Sequence, residues 1–156
     1  MDTFWKALTV LTAFTALLIT YRSHLVARER FRLDLFDKRF KVFEAARHLV
    51  SHAVTTGDVS QEQLWAFRAA VIEKEFLFGD QIVAYLNKMD KHAVRASTMG
   101  AAERQTLGPA ADPGQAAAQQ RNRDQRFESL TWLTEQLQQL HAQFAPEMRI
   151  RTRRLL

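Results

Sequence analysis

Apolar residues crowd the start of the chain and then thin into a helical rhythm. Between Phe4 and Tyr21 the sequence runs FWKALTVLTAFTALLITY, eighteen residues whose single charge, Lys6, lies at the edge. As a helix this stretch rises about 27 Å, close to the ~30 Å hydrocarbon core of a bilayer. Trp5 and Tyr21 flank it, where amphipathic rings favour the headgroup level. Lys6 can snorkel to the same interface, and the threonines at 9, 12, 15 and 20 can bond a carbonyl one turn back. The pattern predicts a transmembrane anchor over residues 1–22. A cleaved signal peptide is the rival reading. It needs a basic start and a small-x-small cleavage site, whereas here Asp2 opens the chain and the best site, ahead of Arg28, places Leu25 at −3.

Past the anchor the apolar positions fall at helical spacing. Leu33, Phe36, Phe40, Phe43, Val50 and Val54 advance in steps of three and four, with Arg47 in the one polar slot. Asp34 with Lys38 and Asp37 with Lys41 add acid-first pairs one turn apart. This helix is expected to end near Thr56-Gly57, where glycine can take a left-handed cap. Ser60 and Gln63 have capping-box spacing and open a second helix carrying Leu64, Phe67, Val71 and Phe78. Gly79 breaks it, and Asp80 starts a third with Ile82, Val83, Leu86 and Met89, fading around Ser97 to Gly100. Residues 100–120 carry Gly-Pro and Pro-Gly punctuation among alanines and glutamines and read as a mobile linker. Leu130, Leu133, Leu137, Leu140 and Phe144 then mark a fourth helix over 121–146, closed by Pro146 and followed by a basic tail, 147–156.

The expected fold is all-α: one N-terminal transmembrane helix continues into a long cytoplasmic helix, which packs with three further helices as an antiparallel bundle. In domain terms, 1–22 is the anchor, 23–99 holds bundle helices one to three, 100–120 the linker, 121–146 helix four and 147–156 the tail.

Charge fixes the orientation. The chain carries a formal +5 and no cysteine, so a disulfide-stapled secreted domain is not indicated. Arg22, Arg28, Arg30 and Arg32 follow the span with only Glu29 against them. The positive-inside rule places them in the cytoplasm, N-out and C-in. With the tail arginines Arg149, Arg151, Arg153 and Arg154 they form the expected membrane-surface set, with lipid as the partner. Nucleic acid is the weaker alternative, because arginines without interleaved aromatics supply phosphate attraction alone. Thr9 with Ala13 and Thr12 with Ala16 are small-xxx-small pairs that would suit a homo-oligomer.

Leu35-Phe-Asp-Lys-Arg-Phe40-Lys-Val-Phe-Glu44 and Phe76-Leu-Phe-Gly-Asp80 resemble segments of a group of short uncharacterised bacterial proteins. In that group an N-terminal anchor precedes an LFDKRF-x-V-(F/Y)-E stretch and a later FLFGD-like turn. The end of helix four, Phe144-Ala-Pro-Glu-Met-Arg-Ile150, is similar more loosely. The resemblance covers about half the chain. It implies a bacterial, membrane-associated helical protein and carries no activity with it; with the single apolar run and the arginines after it, the expected place is a bacterial inner membrane, crossed once.

Candidate chemistry is sparse. Glu44, His48 and His52 recur every fourth residue and share a helix face, the one set with metal-ligand character. Ser51 and His52 point about 100° apart and form no nucleophile–base pair. No two glycines are spaced to cradle a phosphate, and Glu73 and Glu75 lie on different faces. The pattern therefore points to a non-enzymatic membrane-anchored interaction module with an unknown protein partner and no cofactor. The alternatives are a metal or ligand sensor on Glu44, His48 and His52, and a membrane-active oligomer.

Overall fold

The computed structural model describes residues 2–105 and 112–148, with side chains from Thr15 onward except residues 16, 18, 19 and 25. Every element is helical: α1 (Asp2–Thr56), α2 (Gln61–Ala70), α3 (Lys74–Leu77), α4 (Asp80–Gln105) and α5 (Pro113–Met148). The chain divides into two compact units, residues 1–37 and 38–156.

The first unit is helical from Asp2 on. Arg22, Arg28, Arg30 and Arg32 are all solvent-exposed. Among the described residues no helix is long and apolar enough to cross a membrane. Most side chains of the expected Phe4–Tyr21 span, and both small-xxx-small pairs, lie outside those described.

The second unit is a helical bundle whose path can be read from its polar ties. At one end Arg39 of α1 donates to the carbonyls of Leu77 (2.7 Å) and Glu147 (2.6 Å). At the other, Asp58 meets Arg104 near the end of α4 and Arg126 in the first half of α5. The α1 segment from Lys38 thus runs with α4, and α2–α3 and α5 run back. That is the antiparallel order the apolar rhythm predicts.

Local signals set most boundaries. Gly57 takes φ +64, which any side chain would strain, and donates to the Ala53 carbonyl at 3.0 Å. Ser60 then closes the capping box with Gln63: its hydroxyl accepts from Gln63 N–H, and the Gln63 side chain accepts from Ser60 N–H. Gly79 ends the return segment, its carbonyl accepting from Ile82 and Val83.

Three boundary expectations need correction. The return segment is two helices, because the chain turns at Val71–Glu73 with no glycine or proline to announce it. The linker over 100–120 is mostly helix: α4 continues to Gln105 and α5 begins at Pro113, leaving 106–111 outside the described residues. Pro113 and Gly114 sit in the first turn of α5, where proline's missing N–H costs nothing. Pro146 lies inside α5, within its last turn, and does not close it.

The core face of α1 differs from the one expected, while on α5 Leu133, Leu140 and Phe144 are buried as expected. On α1 the buried residues are Val42, Ala46, Leu49, Val50 and Ala53. Phe43 is half-buried, while Leu33, Phe40 and Val54 are exposed, so the stripe is turned by about one residue, or 100°. Arg47 is exposed and enters no ion pair with Glu128 or Glu135. On α5 the buried set is Ser129, Leu133, Gln136, Leu140 and Phe144, and Leu137 is 45 % exposed. Several of the buried residues are small. Ala46 and Ala53 on α1, and Ala93, Ala96, Ser97 and Gly100 on α4, are buried, and small side chains let helix axes approach. A Cβ built on Gly100 would come within 2.9 Å of Asp58 Oδ1.

Candidate functional site

The sequence candidates can be placed first. Glu44 and His48 are exposed and His52 is half-buried along one face of α1. Eight residues of helix rise about 12 Å, so Glu44 and His52 cannot share one ion. The Nδ1 of His52 is engaged by the Thr56 hydroxyl at 3.1 Å. Among the described residues no three His, Cys, Asp or Glu side chains are grouped to hold a metal, and the metal assignment is corrected on that ground. The arginines at 22, 28, 30 and 32 are exposed as a surface role requires. Arg149, Arg151, Arg153 and Arg154 lie outside the described residues.

Two polar constellations hold the ends of the bundle. Asp58 accepts from Arg104 at 2.5 Å and from its neighbour's N–H, Val59, at 2.9 Å. Arg126 reaches Asp58 at 3.4 Å, Glu103 at 2.6 Å and the Gly57 carbonyl at 3.1 Å, and Arg123 joins Glu103 at 3.3 Å. Burial works to raise the Asp58 pKa, but the Arg104 bond, the Val59 N–H and the charges of Arg104 and Arg126 outweigh it, and the carboxyl ends below its ordinary value. The opposite end is closed by Arg39, whose guanidinium also lies 5.6 Å from the Phe78 ring and 3.4 Å from the Glu147 carboxylate. Both clusters satisfy carbonyls at helix ends, and their hydrogen bonds close the fold, with the Arg126 Nε left buried and without a partner among the described residues.

A third constellation occupies the α4–α5 seam. Trp132 stacks on His92 at 4.3 Å and 13°, with the Lys88 ammonium 5.0 Å above its ring. Tyr85 lies 6.4 Å from Trp132 and 6.3 Å from Phe144. Burial pushes the Tyr85 phenol up to about 12. Burial, and then the charges of Lys88 and Arg95, hold His92 below its ordinary value, Glu128 opposing them. The same burial and cations thus favour the neutral form of the stacked imidazole. Gln136, buried beside it in sequence, donates to the Trp132 carbonyl at 3.0 Å and so completes its turn of helix. These groups order the seam. No nucleophile sits within hydrogen-bonding reach of His92 among the described contacts.

The feature best suited to meet another molecule lies on the outside of the return segment. Trp65, Ile72 and Phe76 are 61 %, 78 % and 89 % exposed, with exposed Ala69 between them. They lie on α2, in the turn after it and on α3, and are exposed where Leu64, Phe67, Val71 and Leu77 of the same segment are buried. Scattered exposed apolar residues need no explanation, but three large ones aligned on one short segment form a patch of the kind found at interfaces. The sequence reading passes over this row because it seeks only the core stripe. The i, i+4, i+7, i+11 spacing from Trp65 is the signal that would have found it. Family models, curated proteins and solved structures were compared with the chain, and none matches.

Proposed function

We propose that this chain is a non-enzymatic, single-pass membrane protein whose helical bundle serves as an interaction module. In this reading Phe4–Tyr21 crosses a bacterial inner membrane, the arginines at 22, 28, 30 and 32 hold the cytoplasmic side, and the bundle from Lys38 presents its surface there. Support for the anchor comes from the apolar run and the arginine asymmetry, with the resemblance to short anchored bacterial proteins beside it. The observation that carries the module is the exposure of Trp65, Ile72 and Phe76, at 61 %, 78 % and 89 %, within one short segment of the bundle. A helix row left bare, when the same segment buries four apolar residues on its other face, is surface held in reserve for a partner.

Reporter fusions at residue 156 test the topology. A cytoplasm-dependent reporter is expected to be active and a periplasm-dependent one silent. The reverse result overturns the orientation and with it the cytoplasmic partner.

A further inference from the structure

The row on α2 and α3 has a charge of its own, opposite to that of the chain. Glu62 lies one turn before Trp65 on α2, Glu73 precedes α3 next to Ile72, Glu75 lies within α3 next to Phe76, and Asp80 opens α4 after the break at Phe78–Gly79. Glu73 is paired with Lys38 at 3.6 Å, and Arg68 is held bidentate by Asp90 at 2.6 and 2.8 Å. Glu62, Glu75 and Asp80 enter no ion pair among the described residues. A chain of formal charge +5 thus carries a locally acidic rim around its most exposed apolar row.

That rim selects the occupant. A second copy docking by the same face would bring Glu62, Glu75 and Asp80 against their own equivalents, since a two-fold interface pairs one patch with itself. Like charges brought together in an interface oppose association. An anionic lipid surface is repelled for the same reason. We infer that the face formed by Trp65, Ala69, Ile72 and Phe76 docks a basic amphipathic helix of another protein. The partner's apolar stripe would cover the aromatic row, and its lysines or arginines would meet Glu62, Glu75 and Asp80. An amphipathic helix docks by laying its apolar stripe on an apolar surface of this kind. This deepens the proposed interaction role by naming the face and the chemistry of the partner.

The test uses the full chain and two synthetic helical peptides of about five turns, one with a leucine stripe and lysines elsewhere, the other with glutamates replacing the lysines. Binding is read by peptide anisotropy at low and high salt, alongside sedimentation of the chain alone. The lysine peptide is expected to bind and to weaken with salt, and the glutamate peptide not to bind. Ile72→Ser with Phe76→Ser should weaken binding about tenfold or more, the change expected on losing an interfacial aromatic anchor. Glu62→Lys with Glu75→Lys tests the rim while leaving the apolar atoms in place. Circular dichroism should show both variants folded, because all four side chains are exposed. Equal binding of the two peptides, or lysine-peptide binding unchanged in both variants, overturns the inference. So does self-association, or binding to anionic vesicles, that the strip variants abolish. Peptide binding is independent of reporter topology, so failure of the docking face and failure of the anchor are told apart.

Discussion

Phe144 is the residue on which the aromatic end of the bundle turns. It is 1 % exposed and meets three rings edge-on: Phe43 at 5.4 Å, Phe78 at 5.5 Å and Tyr85 at 6.3 Å. These rings come from α1, from the turn after α3 and from α4, so one side chain ties three segments to α5. Replacing it with alanine removes a buried phenyl ring, leaves a cavity and breaks all three ring contacts. Buried Phe→Ala changes cost about 3–5 kcal/mol, and the aromatic pairs, worth about 0.5–1.5 kcal/mol each beyond area, overlap with that figure and do not add to it. Such a loss is a large share of the roughly 5–15 kcal/mol that holds a domain together. The comparison is Leu137→Ala, seven residues earlier on α5. Sequence periodicity places Leu137 in the core stripe, at a cost of about 2–5 kcal/mol. At 45 % exposure it should cost roughly 1 kcal/mol or less. Guanidinium unfolding of the purified chain, followed by far-ultraviolet circular dichroism, separates the two by their midpoints. If Leu137→Ala shifts the midpoint as far as Phe144→Ala, the helix is rotated from the position described and the aromatic hub is not what holds it.

Three further outcomes follow from named contacts. Asp58→Asn should cost about 1–2 kcal/mol, because it weakens charge-assisted bonds that are partly exposed. The folded Asp58 binds its proton less readily than the unfolded chain does, so its contribution is present above the ordinary carboxylate pKa and fades as pH falls through the folded value; unfolding midpoints measured across acid pH should fall less steeply in Asp58→Asn. His92 also titrates low in the fold, so stability should fall as pH drops below its ordinary value of 6.5 toward the folded one, and His92→Gln should remove that slope in the same titration. Ser60→Ala removes the capping box of α2 and should cost about 0.5–2 kcal/mol in thermal unfolding.

What the sequence made legible was local. Gly57, the Ser60–Gln63 box and Gly79 are signals spelled out by neighbouring residues, and with short connections they dictate an antiparallel helical order. What it concealed was tertiary. The α1 helix has large apolar residues on two sides, and the buried face is the one that includes Ala46 and Ala53 rather than the one with Leu33, Phe40 and Val54. Alanine carries little weight in an apolar rhythm, so the true stripe was faint. On α5 the buried face includes Ser129 and Gln136, polar letters that a leucine count skips. Gly100 was read as a helix breaker, yet it lies inside α4 where the Asp58 carboxylate presses close. The metal trio failed on length: a shared face is not a shared point when its ends stand two turns apart. The docking row was spelled out as plainly as the core, but nothing in one sequence says which of two apolar faces stays outside.

The central claim is that this bundle is held to a membrane by its first helix. Alkaline carbonate washing of membranes from cells expressing the full chain tests it most directly, because high pH strips peripheral proteins and leaves spanning ones in the bilayer. The chain should remain in the pellet with a known spanning marker, and Leu11→Arg with Leu18→Arg, which places two charges in the apolar run at a cost of about 2.5–3.5 kcal/mol each near its centre, should release it. Recovery of the unaltered chain in the wash, while the marker stays behind, would contradict the anchor.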